Sequence, residues 1–342
     1  MTEMTHVSST SSLTTERARL RDLRLPGWRR WVSQAAIVWA LGYGVLRLYW
    51  ALGDAPAPPP VGTDLLLFTG WWSVGLAGAA AVVELGLRRA RWSPPLAVTA
   101  WCVAIALVAS SALLLLDVIG IILPGIGVAF DPVAFLSRAA CLAGGVLVGA
   151  TTLSYQRHWR DACLACGSTD AAIRPATPNE RPWWAWVAAW AAVAGWLVRL
   201  LAQAAVGFGS ELAQASRTVL LFEVGFVLAG TVLPLALVYR WGRVFPAWVP
   251  VLARRSVPRW LVLAPALGLG VGMTAYFGLS LVQLTVQTVT GTGEQGSGGA
   301  LPLWFYWVAM PAYLVWGIGL GLAALAYRRT TRPPCRVCSS RT

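Results

Sequence analysis

The cysteines are the residues of this chain whose type and spacing best match a defined chemistry. Two thiols three positions apart can bind one metal ion from a tight turn, and a second pair completes a tetrahedral zinc site with four sulfur ligands. The chain has two Cys-x-x-Cys pairs, formed by Cys163, Cys166, Cys335 and Cys338. Because four sulfur ligands leave no open position for a substrate, we predict a structural zinc ion bound by these four residues.

Other states of these thiols stay open from the sequence. The two pairs could be redox-active or form two disulfides, or their thiols could be free and exposed. A thioredoxin-like role requires a surrounding βαβ pattern, which the sequence does not show. His158 is close enough along the chain to serve as a substitute ligand, whereas Cys102 and Cys141 lie in apolar segments and are interpreted as packing residues.

Ionisable side chains within apolar segments form a second candidate site, because such residues are costly in lipid and often functional. They are Arg47, Asp117, Arg138, Arg199 and Glu223. Counted at about 1.5 Å of helix rise per residue, all five fall at a similar depth in the outer part of a bilayer. We predict a common polar pocket for an anionic or zwitterionic ligand, either a lipid headgroup or a small organic acid, since a guanidinium binds such groups bidentately.

The structural alternative is that these charges stabilise the membrane region itself. Ion pairs between spans would do so, with Arg199 paired to Glu223 and Arg138 to Asp117, or the arginines would extend to the outer interface. Two further charges at the ends of apolar segments are interpreted as ordinary interfacial residues, Glu84 and Arg217.

The elements that must position these residues follow from composition. Of the 342 residues, 57% are hydrophobic and 12% are charged, whereas a soluble domain carries about 25% charged residues. Continuous apolar runs of about 20 residues are long enough to cross a bilayer as helices. The sequence therefore predicts an all-α polytopic membrane protein with eight transmembrane helices, at 31–52, 65–87, 96–118, 133–155, 183–206, 217–239, 261–286 and 303–327.

The distribution of arginine along the chain predicts the orientation of these helices. All 27 basic residues are Arg, and 23 of them lie on one side of the predicted spans, which we call the Arg-rich side. The loops of the opposite side contain none. By the positive-inside rule, both termini and both Cys-x-x-Cys pairs are cytoplasmic, and the protein lies in the plasma membrane. The net charge of +13 is interpreted as a topology signal and not as nucleic-acid binding.

The two halves of the chain resemble each other. Tyr155 precedes the first Cys-x-x-Cys pair by eight residues, and Tyr327 precedes the second by the same distance. Because each half has four spans, the halves are predicted to be parallel repeats. The predicted units are a disordered basic segment, the first repeat, a linker with the first cysteine pair, the second repeat and a tail with the second pair, at 1–30, 31–157, 158–182, 183–328 and 329–342.

Small residues indicate where the repeats meet. The fourth span carries Gly145 and Gly149, and the eighth carries Gly317, Gly319 and Gly321. Glycines at this spacing let helix backbones approach closely in lipid. We therefore predict contact between the fourth and eighth spans near the axis that relates the repeats.

The basic, Trp- and Pro-rich loop 240–260 is predicted to lie along the inner membrane interface. Together with the segment Gly44–Gly53, it resembles an uncharacterised family of polytopic integral membrane proteins from high-GC actinobacteria. The resemblance implies a multi-pass membrane fold and no assigned activity or functional residues.

Enzymatic motifs are missing from the sequence. It has two His residues, no phosphate-binding Gly loop, no His-Glu-x-x-His and no nucleophile elbow, so the protein is predicted not to be an enzyme. The first hypothesis is binding or transport of a small molecule or lipid headgroup at a site between the repeats. The alternative is a membrane scaffold or regulatory subunit that binds a cytoplasmic protein through the zinc module and loop 240–260.

Overall fold

A computed structural model describes the protein at residues 27–53, 70–124, 130–160, 163, 182–207, 217–245, 247, 255–291 and 301–331. Within these residues the chain is almost entirely helical. Its β-type pairing is limited, in the same residues, to an isolated antiparallel bridge between Val244 and Ser256. The described structure thus confirms the predicted all-α class.

The first half contains five helices. They are α1 (Gly27–Leu52), α2 (Trp71–Arg89), α3 (Pro94–Ala109), α4 (Leu114–Ile122) and α5 (Pro132–Trp159). The third predicted span, 96–118, is broken between α3 and α4. There the hydroxyls of Ser110 and Ser111 donate to backbone carbonyls one turn back, at 2.8 and 2.7 Å, and such bonds compete with a continuous helix.

The second half also contains five helices. They are α6 (Trp183–Val206), α7 (Arg217–Val227), α8 (Leu233–Val238), α9 (Arg259–Thr290) and α10 (Leu303–Thr330). A π-helical turn, Leu228–Val232, joins α7 to α8 within one span. Pro234 has no N–H to donate to the Gly230 carbonyl, so the regular hydrogen-bond ladder is interrupted and the turn widens.

The helices of the two halves pack with the same pairings. In the first half, α1 and α3 each pack on α2 and α5, and α2 also contacts α5. In the second half, α6 and α9 each pack on α8 and α10, and α8 also contacts α10. The halves meet where α9 packs against α3 and α4, with Gly272 beside Leu115.

Alanines fill many of the helix interfaces, and many large apolar side chains face outward. Ala80, Ala189 and Ala323 are fully buried, whereas Val38 is 71% exposed and Trp183 is 76% exposed. In lipid this arrangement is favourable, because large side chains contact hydrocarbon and small ones let helices approach. Seven helical segments of the described chain are long and apolar enough to cross a membrane, which is consistent with an integral multi-pass protein. The second predicted span corresponds to α2, which lies outside these seven and packs against α1, α3 and α5.

The glycines predicted to join the fourth and eighth spans pack within their own halves. Gly145 lies against Val108 of α3, Gly317 lies against α9, and Gly319 lies against Ala188 of α6. The prediction that α5 and α10 meet through these glycines is therefore wrong. Close backbone approach is used to join neighbours within each bundle.

A tyrosine on the last helix of each half binds the connection between that half's second and third spans. The Tyr155 hydroxyl donates to the Arg91 carbonyl at 2.6 Å and accepts from the Ser93 N–H at 2.9 Å. The Tyr327 hydroxyl donates to the Gly242 carbonyl at 3.1 Å. Each bond fixes the end of a bundle just before a Cys-x-x-Cys segment.

Loop 240–260 is described at its two ends. The Phe245 N–H donates to the Arg255 carbonyl at 3.0 Å, and the Val257 N–H donates to the Arg243 carbonyl at 2.8 Å. The Arg243 guanidinium also donates to the Thr330 hydroxyl at 2.8 Å. The described part of the loop is thus a narrow hairpin held against the end of α10.

Candidate functional site

The predicted zinc ligands lie at the ends of α5 and α10. Cys163 follows α5 within the described residues, and His158 is exposed at the end of that helix. The other three cysteines lie outside the described residues: Cys166, Cys335 and Cys338. Within the described residues, no group of three His, Cys, Asp or Glu side chains is arranged to hold a metal. The four-cysteine zinc site therefore stays a prediction.

Arg47 joins α1 to α5. Its guanidinium donates to the Tyr43 hydroxyl at 2.6 and 2.9 Å and to the Ser137 hydroxyl at 2.5 Å. The Tyr43 oxygen lies 3.2 Å from Sγ of Cys141, which is buried. The guanidinium carbon also lies 5.3 Å from the centre of the Trp50 ring. Hydroxyls and ring faces thus surround the charge and tie the two helices together.

Asp117 and Arg138 form the ion pair that the sequence predicts. The guanidinium of Arg138, on α5, donates to Oδ1 of Asp117, on α4, at 2.6 Å. Asp117 is 1% exposed, and its other carboxylate oxygen has no hydrogen-bond partner among the described residues. Breaking a buried pair of this kind costs about 3–5 kcal/mol, because the remaining charge is left uncompensated.

Arg199 lies among aromatic rings between α6, α7 and α10. Its guanidinium carbon is 4.8 Å from the centre of the Phe226 ring and 5.5 Å from the centre of the Tyr313 ring. Phe277 stacks on Tyr313 at 4.0 Å, and Trp316 packs edge-on to Phe226 at 5.0 Å. Nε of Arg199 is buried and has no hydrogen-bond partner within the described chain.

Two further buried N–H donors lie on the same helices. The indole nitrogens of Trp196, one turn before Arg199, and of Trp316 lack an acceptor among the described residues. The two indole side chains are 6% and 1% exposed. This part of the second half is therefore rich in donors that no described acceptor satisfies.

Glu223 is exposed on α7 and forms no ion pair with Arg199 in the described chain. The predicted Arg199–Glu223 pair is therefore wrong. The guanidinium lies over Phe226, about one turn further along α7, and α7 buries none of its residues. Arg217 is exposed at the start of the same helix, as expected for an interfacial charge.

The five predicted site residues fall into three contact groups. Arg47 belongs to the α1–α5 interface, Asp117 and Arg138 belong to the α4–α5 interface, and Arg199 lies beside α7, which carries Glu223. The structure thus joins Asp117 to Arg138 and places Arg199 in a separate aromatic environment in the second half.

Glu84 is a buried site that sequence reasoning missed. Its position at the end of a predicted span indicates an ordinary interfacial charge, yet its side chain is 0% exposed. It accepts hydrogen bonds from Thr151 of α5 and, at 3.3 Å, from Ser33 of α1. The available signal was its spacing from Ala77 and Ala80, which places all three residues on one buried face of α2.

Comparison with known proteins gives no match for the chain, whether to a protein-family model, to a curated protein or to a solved structure.

Proposed function

We propose that this protein is an integral membrane protein that binds and translocates a small anionic or zwitterionic molecule, with Arg199 as the residue that contacts its negative group. A carboxylate or a phosphate satisfies this chemistry, whether it belongs to a free organic acid or to a lipid headgroup. The observation that carries the proposal is the aromatic environment of the Arg199 guanidinium, in which no described carboxylate pairs with it.

The charges of Arg138 and Arg199 are compensated in different ways. A charged side chain in the middle of a bilayer costs about 2.5–3.5 kcal/mol even on permissive scales, which is an upper bound for a charge in its outer part. For Arg138 that cost is offset by Asp117 at 2.6 Å. The rings of Phe226 and Tyr313 offer Arg199 about 0.5–2 kcal/mol each. Tyr313 also hydrogen-bonds the Arg199 side chain, but no described carboxylate neutralises the arginine charge. An anionic ligand would neutralise it, and the guanidinium would bind that ligand bidentately.

The surroundings of Arg199 also fit a ligand with an apolar portion. The unpartnered indole N–H groups of Trp196 and Trp316 could donate to a ligand oxygen. Phe226 and Tyr313 offer ring faces to a hydrocarbon group. Because α7 buries none of its residues, the bilayer has a lateral route to this side of the bundle, which favours an amphiphilic ligand.

In this proposal the site lies in the second of two parallel four-helix repeats. The identical helix pairings of the halves support a duplication. The equivalent hydrogen bonds of Tyr155 and Tyr327 to the connections between second and third spans also support a duplication. The positive-inside rule places both termini on the cytoplasmic side of the plasma membrane.

The structural zinc ion remains part of the proposal. Four thiolates would close its coordination sphere and join the segment after α5 to the segment after α10. Metal content of the purified protein tests this. We expect one zinc ion per chain in the wild type and in Cys102→Ser, whose thiol is on the exposed face of α3, and loss of zinc in Cys335→Ser. A wild-type protein without zinc would contradict the site.

Ligand-dependent thermal stability tests the Arg199 site. Purified protein in a neutral detergent would be heated with inorganic phosphate, with a short-chain carboxylate or with an anionic phospholipid. A ligand at about 100 times its Kd stabilises the folded state by about 2.7 kcal/mol. We expect at least one probe to raise Tm for the wild type and for Arg217→Gln, and to have no effect on Arg199→Gln.

The probes also separate the two ligand sources. Stabilisation by phospholipid alone would indicate a headgroup with its acyl chains, whereas stabilisation by phosphate or carboxylate would indicate a free anion. Equal stabilisation of the wild type and Arg199→Gln by every active probe, or no stabilisation of the wild type, would refute the proposal.

A scaffold or regulatory role is the second candidate, favoured by the described hairpin of loop 240–260. Contacts of Arg243 with Thr330 and of Arg259 with Thr331 at 3.1 Å hold this hairpin against the end of α10. That end leads into the second Cys-x-x-Cys segment. Co-purification of a stoichiometric cytoplasmic protein, lost in Cys335→Ser, would support this role, and purification of the chain alone would count against it.

A further inference from the structure

Two carboxyl side chains are fully buried among the described residues, and their surroundings differ. Asp117 contacts the guanidinium of Arg138 at 2.6 Å. Glu84 instead contacts hydroxyl groups, contributed by Thr151 and Ser33. Asp117 therefore cannot be protonated without leaving a buried arginine charge uncompensated, whereas no such constraint acts on Glu84.

Glu84 lies at the junction of three helices, near the Arg-rich end of α2. Oε1 accepts a hydrogen bond from Thr151 of α5, and Oε2 accepts one from Ser33 of α1 at 3.3 Å. The Ser33 oxygen accepts in turn from Nε of Arg88 at 2.7 Å. A chain of hydrogen bonds thus runs from the buried carboxyl to an exposed guanidinium.

These groups can complete the hydrogen bonds of Glu84 in either protonation state. When the carboxylate is ionised, Thr151 donates to Oε1 and Ser33 donates to Oε2. When it is protonated, its O–H donates to the Thr151 hydroxyl, which then donates to the Val148 carbonyl at 2.9 Å. Because one hydroxyl rotation accommodates the change, neither state leaves a buried polar group unpaired.

The charged and titratable groups around Glu84 are few in the described chain. On its own helix, Arg88 is one turn away and reaches it through Ser33. On α5 the nearest titratable side chain is Tyr155, whose hydroxyl donates to a backbone carbonyl. The only titratable side chain of α3, Cys102, is exposed. On α1 the titratable residues with described side chains begin at Tyr43, ten residues beyond Ser33. No permanent charge is therefore in direct contact with the carboxyl group among the described side chains.

Access to Glu84 is one-sided. Ser33 is partly exposed and Arg88 is exposed. The hydrogen bonds through Ser33 therefore connect the carboxyl to the Arg-rich side. Towards the other side, α1 and α5 place Trp39 against Gly144. The next polar cluster, around Tyr43, begins ten residues further along α1, which corresponds to about 15 Å of helix. An apolar layer thus separates the inner and outer polar clusters.

We propose that Glu84 is a proton-binding site that exchanges its proton with the Arg-rich side through Ser33. The site is built from first-half residues, so it does not depend on the ligand proposed for Arg199. The proton enters from water on that side and resides on one carboxylate oxygen, and it leaves by the same route. No other bond is formed or broken.

Infrared difference spectroscopy of the purified protein between high and low pH tests this proposal. A protonated carboxyl that is buried away from water has a C=O stretch distinct from that of exposed acids. We expect one such band to disappear reversibly as the pH rises in the wild type. The band should be absent in Glu84→Gln, which keeps the side-chain size, and unchanged in Glu223→Gln, whose carboxyl is exposed.

A second measurement keeps the test decisive if Glu84→Gln does not fold. Carbon-13 labelling of glutamate in the wild type should shift the band, whereas labelling of aspartate should not. In Ser33→Ala the midpoint of the titration should move, since one donor to the ionised form is lost. Persistence of the band in folded Glu84→Gln, a band that responds to aspartate labelling, or a transition that follows sodium concentration and not pH would overturn the proposal.

Discussion

Replacing Gly319 with alanine should separate α6 from α10. A Cβ at this position would lie 2.5 Å from the Ala188 carbonyl oxygen and 2.9 Å from the Ala192 nitrogen. Both are backbone atoms of α6, so no side-chain rotation can relieve the overlap. Gly195, on α6, has the reciprocal relation to α10, since its Cβ would lie 2.5 Å from the Ala312 carbonyl oxygen.

The size of the effect follows from this geometry. Ordinary van der Waals contact with a Cβ begins at 3.4 Å, so the helices must move apart by several tenths of an ångström to about 1 Å. A gap of about 0.5–1 Å removes a quarter to a half of the attraction of each atom pair along the interface. Overpacking of this kind costs about 1–3 kcal/mol.

Gly321, on the same helix, provides a matched control. A Cβ at this position meets nothing within 4 Å. Alanine there should stabilise the helix by up to about 1 kcal/mol, because glycine has the greater conformational freedom in the unfolded chain. The two substitutions are chemically identical and share this gain, so we expect their free energies of unfolding to differ by the overpacking cost alone, about 1–3 kcal/mol.

Unfolding by SDS in mixed micelles, followed by tryptophan fluorescence, would measure this difference. Trp196 and Trp316 lie in the core that contains the α6–α10 interface and should report its opening. If Gly319→Ala proved as stable as Gly321→Ala, the close backbone contact between α6 and α10 would be refuted.

Three further predictions concern the ion pair, the tyrosine bonds and the orientation. Asp117→Asn should destabilise the protein by about 3 kcal/mol, because it leaves the Arg138 charge uncompensated, and the same unfolding assay would show it; an unchanged midpoint would contradict a buried pair. Tyr155→Phe should cost about 1–3 kcal/mol, since it leaves a backbone N–H and a carbonyl without their partner, and amide hydrogen exchange should quicken at the α2–α3 connection and not elsewhere. In intact cells, a membrane-impermeant maleimide should label Ser297→Cys and not Ser340→Cys, because the positive-inside rule places the second on the cytoplasmic side; the reverse pattern would refute the orientation.

Depth along each span could be predicted from the sequence. Each helical residue adds a fixed rise of about 1.5 Å, so counting from the Arg-rich ends places Asp117 and Arg138 at a similar depth, and the structure joins them. The same counting places Arg199 level with Glu223, yet these two do not pair in the described chain. Equal depth is necessary for a contact between spans and is not sufficient for one.

Rotation of each helix about its axis could not be predicted in this way. The position of Glu84 near the end of its span predicts an interfacial charge, but its face of α2 is turned towards α1 and α5. The glycine spacing around Gly319 predicts a contact with the fourth span, whereas its face meets α6. A stripe of small residues shows that a neighbour is close without identifying that neighbour.

The amino-acid sequence by itself determined that this chain is an all-helical protein with apolar segments long enough to cross a membrane, because the length and polarity of each segment are local properties. The tertiary structure alone decided which side chains meet within those segments. Each helix faces several neighbours, and the choice among them depends on how residues far apart in the chain pack. The aromatic surroundings of Arg199 and the hydroxyl contacts of Glu84 are results of that packing.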